Sequence, residues 1–267
     1  MSGASLIGYS YVQFGTSSSP VNATITLTSG TTNAILGGYH TSGSMGAIYC
    51  FGNLNITTSD GNPYSATLNI IAATRSTTSY AIYLPTTGKS LSISNGNVLI
   101  MVDSPNNTCY GIQTSGNINL TRGNIKIHVG TLNTSSISYM LNISGKAYDL
   151  IIGKSGDSDD LLMLDCVTGN ANSGYNVGLR LNDAHICYVY SGQANIESGY
   201  AGGSGGSWAI EPYGGYIQSG GQVHIKSGPT AKGGTDAGSA CIRCQDSDVK
   251  FEVNGGTLEM ESNTTSY

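Results

Sequence analysis

The sequence predicts an all-β, single-domain parallel β-helix, in which each coil of about 30 residues contributes three short strands. Three observations support this fold class. A short anchor motif recurs along the chain, two apolar-polar-apolar triplets follow most anchors, and Gly, Asn and Asp separate the triplets. Alternation over so few residues is typical of a strand with one buried face, and the small polar residues are typical of tight turns.

The composition excludes several classes of protein. Only 10% of the 267 residues are charged, whereas 38 are glycine. Soluble domains usually contain about 25% charged residues, so hydroxyls and amides must cover this surface. Periodic apolar residues argue against disorder. The net charge of −5, with 11 scattered Lys and Arg residues, argues against a nucleic-acid partner. No segment approaches the roughly 20 apolar residues of a membrane span.

The anchor is an aromatic residue, a small residue and an aliphatic residue. Its clearest copies are Tyr80-Ala81-Ile82, Tyr110-Gly111-Ile112, Tyr139-Met140-Leu141 and Trp208-Ala209-Ile210, with looser copies at 46–48, 177–179 and 240–242. Successive copies lie 29 to 38 residues apart. If side chains alternate strictly, the aliphatic residues point inward and the aromatic residues of the clear copies form an internal stack.

The triplets supply the other two strands of each coil. Examples of the first triplet are Leu54-Asn55-Ile56, Leu91-Ser92-Ile93 and Ile118-Asn119-Leu120, and examples of the second are Leu68-Asn69-Ile70, Ile125-Lys126-Ile127 and Val223-His224-Ile225. Gly116 and Gly123 precede the two triplets of one coil. Glycine suits such corners because a Cβ would obstruct a tight turn.

We predict one domain with two kinds of region. Residues 1–46 form N-terminal strands, as a first irregular coil or a cap, and residues 47–267 form the coils. Residues 145–175 depart from the repeat: Leu150-Ile151 and 162–164 still indicate strands, but the longer connections indicate an insertion or a bulged coil. The Gly-rich run at 198–208 is a connecting loop, because the repeat resumes in phase after it.

Two segments carry a family resemblance. AIYCFGNLNI at 47–56 and GIQTSGNINLTRGNIKI at 111–127 resemble the Gly-rich coils of right-handed parallel β-helix domains in bacterial surface proteins. That group includes carbohydrate-binding β-helix proteins, specific for pectin or cellulose, with a pectate-lyase-like fold. The resemblance covers roughly residues 47–267. It implies a right-handed helix, an extracellular or cell-surface location, contact with polysaccharide or host glycan, and in some members calcium.

The anchor strand also predicts a binding face. Six residues follow the anchor's aliphatic residue, or its equivalent, and should point outward in one column: Tyr49, Tyr83, Gln113, Arg180, Glu211 and Arg243. The three charged members would lie about 4.8 Å apart from coil to coil and form a salt-bridge ladder. The aromatic members would add a shallow platform for a sugar. We predict a ligand-binding site on this face, and the alternative is a purely structural ladder.

An acidic cluster is the candidate metal site. GDSDDLLMLD at 156–165 contains Asp157, Asp159, Asp160 and Asp165, whose hard oxygen ligands suit calcium. The spacing lacks the Gly and the terminal Glu of an EF-hand loop, so a solvated acidic turn is the alternative. The six cysteines form no convincing disulfide framework.

Together these observations predict a non-catalytic, surface-displayed module that binds polysaccharide or a host or cell-surface glycan, with calcium as the candidate cofactor. Two alternatives stay open. One is a self-assembling filament, stalk or adhesin subunit with end-to-end self-association. The other is a polysaccharide lyase, which needs a base and carboxylates in one groove. The chain carries no signal-peptide pattern and ends where a further anchor would start, so we expect a piece of a longer protein.

Overall fold

The computed structural model describes residues 1–7, 11–37, 44–73, 78–103, 108–130, 137–171, 174–183, 185–202, 205–231 and 238–263. These residues form 25 strands and one 3₁₀ helix, Asp159–Leu161. The strands make three sheets of nine, eight and eight strands, and neighbouring strands are parallel. This architecture confirms the predicted all-β parallel β-helix with three strands per coil. None of the described residues forms a helix long and apolar enough to cross a membrane.

Each sheet collects one strand from every coil. Sheet 1 contains β1 (Ser5–Ile7), β4 (Thr32–Gly37), β7 (Thr67–Ala72), β10 (Asn97–Val102), β13 (Gly123–Val129), β16 (Leu162–Thr168), β19 (Gln193–Glu197), β22 (Gln222–Ser227) and β25 (Thr257–Ser262). Sheet 2, which holds the anchors, contains β2 (Val12–Phe14), β5 (Ser44–Cys50), β8 (Thr78–Leu84), β11 (Thr108–Thr114), β14 (Ser138–Ile143), β17 (Asn176–Leu181), β20 (Ser207–Pro212) and β23 (Ser239–Ile242). Sheet 3 contains β3 (Ala23–Leu27), β6 (Leu54–Thr58), β9 (Leu91–Ile93), β12 (Ile118–Leu120), β15 (Leu150–Ile152), β18 (Ile186–Val189), β21 (Gly215–Gln218) and β24 (Lys250–Val253).

The core consists of aliphatic columns that run from coil to coil. Ile70, Ile100 and Ile127 are successive partners in sheet 1, and all three are fully buried. Leu91 and Ile118 are buried partners in sheet 3. Burial of one such side chain contributes roughly 1.5–3 kcal/mol. The triplets therefore form the predicted half-buried strands, and their regular spacing aligns the columns.

Glycine at the corners lets the coils stack closely. A Cβ on Gly116 would lie 2.1 Å from the carbonyl oxygen of Lys89 in the preceding coil. Gly123 has a φ of +111°, and a Cβ there would lie 2.4 Å from the carbonyl oxygen of Gly96. Both contacts are too short for any other residue, so the predicted corner role of these glycines agrees with the structure.

The anchor strands of sheet 2 interrupt the strict alternation of side chains. The ladder pairs Tyr110 with Tyr139 and resumes two residues later, so that it skips Gly111. A Cβ on Gly111 would lie 2.6 Å from the buried side chain of Ile127, and the next residue, Ile112, is also in the core. Two consecutive residues therefore face inward, and the aromatic residue before them faces outward.

This kink corrects the predicted orientation of the aromatic residues. Tyr80, Tyr110 and Tyr139 do stack, with successive ring centroids 5.1 and 5.0 Å apart, but they lie outside the main core. Trp208 packs in a separate cluster with Tyr139 and Val177. The stack was predicted correctly and its inward orientation was wrong, because alternation was counted through a residue that does not take part in it.

The irregular regions belong to the same helix of coils. The described residues of 1–46 supply β1 to β4 and the start of β5, which pair within the three sheets and so belong to the same stack of coils. In the segment 145–175, β15 and β16 keep the predicted strand positions. Its extra length lies in the connection 153–161, where the preceding coil has only residues 121–122. Tyr267, where a further anchor would start, lies outside the described residues.

Candidate functional site

The six residues of the predicted binding face lie in one column on the outer side of sheet 2. The pairing register joins Tyr49 to Tyr83, Tyr83 to Gln113, and Arg180 to Glu211. The backbone amide of Arg243 donates to the carbonyl of Ile210 and so continues the column by one coil. Asn142 lies in the same column, between Gln113 and Arg180, and was missed although it directly follows the clear anchor Tyr139-Met140-Leu141.

Glu211 holds the two arginines of the column together. Its carboxylate lies 3.3 Å from Nε of Arg180 and 3.4 Å from Nη1 of Arg243, and the side-chain amide of Gln245 also donates to it. The residue is only 1% exposed, although it points away from the core. Burial raises the pKa of Glu211, and the two guanidinium groups oppose that effect. The predicted charge ladder is thus present, with its carboxylate shielded from water.

Aromatic rings lie against both arginines. The guanidinium carbon of Arg243 lies 3.8 Å from the ring centroid of Trp208, and that of Arg180 lies 5.5 Å from the ring of Tyr139. Arg180 also donates from Nη1 to the Tyr139 hydroxyl at 2.6 Å. Tyr175 packs against Trp208 with a centroid distance of 5.4 Å. These contacts fix the planes of both guanidinium groups.

The outward-facing aromatic side chains and the charged column together form a cleft of about 260 Å³, which we call the arginine cleft. Its polar and aromatic walls come from Tyr139, Tyr175, Arg180, Trp208, Glu211, Tyr213, Arg243 and Gln245. Two arginines and one glutamate leave a formal charge of +1. Tyr213 and Gln245 were missed in the sequence, although each follows a predicted column residue by two positions and so shares its face.

The opposite end of the column is an aromatic platform. Tyr83 stacks on Tyr80 with a centroid distance of 4.5 Å, and Tyr49 meets Tyr83 edge-on at 5.2 Å. Tyr11 lies 4.3 Å from Tyr49. Tyr49 and Tyr83 are partly exposed. The platform therefore extends the arginine cleft along the helix axis, and Gln113 and Asn142 lie between the two.

The four carboxylates of the predicted calcium site do not converge. Asp157 forms a bidentate ion pair with Arg122, with N–O distances of 2.6 and 2.7 Å. Asp159 instead accepts a hydrogen bond from the backbone amide of Gly192. Asp160 accepts a hydrogen bond from Ser158. Asp165 belongs to β16 of sheet 1 and accepts hydrogen bonds from His128 and Asn195. Across the described part of the chain, no three His, Cys, Asp or Glu side chains are grouped as metal ligands would be. The structure thus brings no three of the four carboxylates together, and calcium binding stays a prediction.

All six cysteines are free thiols, and five of them are buried. Burial raises the pKa of the Cys50 thiol and of the Cys187 thiol, to about 12. Thiols of this kind stay protonated and unreactive, which favours a packing role.

Comparison of the chain with protein-family models, with curated proteins and with solved structures finds no match.

Proposed function

We propose that the chain is a non-catalytic β-helix module, displayed at a cell surface, that binds acidic polysaccharide or glycan in the arginine cleft. One observation carries the proposal: two arginines are fixed by a buried glutamate, and each lies against an aromatic ring. Such a site can pair a carboxylate or sulfate with a guanidinium group while a sugar ring packs on Tyr175 or Tyr213, which are partly exposed.

The charge and the shape of the cleft both support an acidic sugar as the ligand. The cleft carries a formal charge of +1 in a chain with a net charge of −5, so it attracts anions locally although the chain as a whole is negative. The hydroxyl of Tyr213 and the amide of Gln245 lie at its rim and can bond sugar hydroxyls. The tyrosine platform next to it can hold further sugar rings of the same polymer.

The cleft favours binding over lyase chemistry. A lyase base must accept a proton from the sugar, so its pKa should lie near the working pH. Burial disfavours the charge of Arg180, but Tyr139, Tyr213 and Glu211 outweigh that effect and raise its pKa above the ordinary value of 12.5. Such an arginine stays protonated, which suits anion binding and opposes proton abstraction.

The fluorescence of Trp208 provides a direct test, because it is the only tryptophan in the sequence. Titration with polygalacturonate should change its emission, and a neutral galactan should have little effect. Arg243→Ala should weaken binding of polygalacturonate by about tenfold, because the variant loses a charge-assisted contact with the anion. Arg122→Ala, which removes an arginine paired elsewhere, is the matched control.

Two further readings complete this test. The titration is repeated with calcium and with a chelator, and absorbance at the wavelength of unsaturated uronides is followed throughout. A product signal would replace the binding module with a lyase. Equal affinity of Arg243→Ala and the native chain would remove the arginine cleft as the binding site.

End-to-end self-association is the second candidate function, and the end coils favour it. Phe251, Val253 and Met260 occupy core columns of the last coil yet are 50%, 44% and 54% exposed. In the first coil, Leu6 occupies a core column and is 46% exposed. Apolar columns and unpaired strand edges of this kind can stack on another copy of the chain.

A further inference from the structure

A second concave surface lies on the outer side of sheet 1. It has a volume of about 780 Å³, three times that of the arginine cleft, and crosses β13, β16, β19, β22 and β25. We call it the amide groove, because three of its outward side chains are Asn124, Gln193 and Gln222. The groove follows the helix axis, since each strand contributes the same positions to it.

A fixed hydrogen-bond network forms the centre of the amide groove. The Asp165 carboxylate accepts from Nε2 of His128 and from the side-chain amide of Asn195, both at 3.0 Å. The carbonyl oxygen of Asn195 is then left to accept from Nδ1 of His224 at 2.9 Å. Burial would raise the pKa of Asp165, but the hydrogen bonds from Asn195 and His128 prevail and lower it. The centre of the groove therefore presents an oriented, ionised acceptor.

Next to this network, three amide side chains are uncommitted. Asn124, Gln193 and Gln222 occupy one column, with Met163 between the first two, and none of these amide side chains has a hydrogen-bond partner in the described part of the chain. Each amide offers donors and an acceptor, the combination that a sugar hydroxyl requires. Met163 is 47% exposed and offers an apolar contact for the C–H face of a sugar ring.

The charge of the amide groove is opposite to that of the arginine cleft. The charged residues that line the groove are one lysine, Lys126, and two carboxylates, Asp165 and Glu259. With neutral histidines the formal charge of the groove is therefore −1. An acidic polymer would be repelled here, whereas an uncharged one would lose nothing.

We propose that the amide groove is a second glycan site, which binds an uncharged oligosaccharide lying along the helix axis across several coils. It differs from the arginine cleft in its face, its charge and its ligand, and it does not depend on the function proposed for that cleft.

Calorimetry with cellohexaose, xylohexaose, chitohexaose and maltohexaose tests this proposal. At least one should bind, with Trp208 emission unchanged, because the ligand lies on another sheet. Gln193→Ala combined with Gln222→Ala should weaken that binding at least tenfold. Arg243→Ala should leave it unchanged, which separates this site from the arginine cleft. Gln13→Ala, which removes an exposed amide from sheet 2, is the matched control.

Both substituted glutamines are exposed, so the double variant should fold, and a thermal melt checks this. Absence of binding by all four oligosaccharides would overturn the proposal. Binding that survives the double substitution would overturn it as well, because the ligand would then lie elsewhere on the chain.

Discussion

The side chain of Glu211 points outward from the core, yet it is almost completely buried. Alternation places its side chain on the outer face of sheet 2, where a glutamate is normally solvated, yet Arg180, Arg243 and Gln245 cover it almost completely. Because it is buried, its charge is not fixed as firmly as that of a surface glutamate. The formal charge of the arginine cleft therefore depends on this one carboxyl group.

The raised pKa of Glu211 predicts that anion binding strengthens as the pH falls. Its pKa lies above the ordinary 4.5, so on acidification it takes up a proton before most carboxylates, and the charge of the cleft rises from +1 to +2. A sulfated polysaccharide, whose own charge stays constant, should then bind more tightly. Glu211→Gln should bind it about three- to tenfold more tightly at neutral pH, as expected for one removed opposing charge.

Trp208 emission followed over a series of pH values measures both effects. Glu211→Gln should show a flatter pH profile than the native chain. A native affinity that falls on acidification, or a variant with the native pH profile, would contradict the role given to Glu211.

The sequence predicted which residues share the outer column of sheet 2 better than it predicted the side chains that pack around them. Arg180, Glu211 and Arg243 follow equivalent anchor residues, so their common column follows from the repeat alone. Trp208 was placed on the wrong side, because the skipped small residue cannot be recognised from apolar alternation. The pairing of Asp157 with Arg122 spans 35 residues and depends on how a loop folds over a corner, which no local pattern records.

The coil corners are the elements that decide whether neighbouring coils can approach. Gly116 lies directly above Lys89 of the preceding coil, and its missing side chain leaves room for that residue's carbonyl group. The backbone amide of Gly116 is held in place, because it donates a hydrogen bond to the hydroxyl of Thr114 at 3.0 Å. A side chain here would force the corner away from its neighbour and strain the strands on both sides.

Gly116→Ala should therefore destabilise the chain by about 2 kcal/mol or more, because its Cβ would lie 2.1 Å from a backbone oxygen. Gly238→Ala is the matched control, since a Cβ there meets no atom of the described residues within 4 Å and φ is not positive. Chemical denaturation of both variants measures the difference. Equal stability of the two variants would show that the corner can relax without cost.

At this scale the strands could be predicted and the long connections could not. The triplets recur with a period that defines β6, β9 and β12, whereas the loops at 59–66 and 153–161 have no repeated pattern. These two loops nevertheless meet, because the Tyr64 hydroxyl donates to the carbonyl oxygen of Asp160, 96 residues away. Residues 1–46 were predicted as an irregular first coil or a cap, and within them β2 and β3 pair in register with β5 and β6.

The whole molecule is a stack in which every coil except the first and last is covered on both sides. In the interior, Tyr216 is fully buried, whereas its partner Phe251 in the last coil is half exposed. Stability in such a stack comes mainly from contacts between neighbouring coils, so an end coil has roughly half the contacts of an inner one. A second copy could supply the missing neighbour.

If the ends stack, the mass measured by light scattering should increase with concentration, and Met260→Lys should reduce that increase. Met163→Lys is the matched control: both methionines lie on sheet 1 and are about half exposed, but Met163 is on the outer face. A mass that stays constant with concentration, or equal effects of the two substitutions, would rule out assembly through the ends.

The parallel ladders also determine how the chain would respond to a pulling force. The strands lie across the helix axis, so the hydrogen bonds between coils run along it. Tension on the two ends would load the outermost ladder first and detach the coils one at a time. A coil of about 30 residues adds roughly 100 Å of extended chain. The steps would be unequal, because the register separates Ile100 from Ile127 by 27 residues but Ile127 from Cys166 by 39.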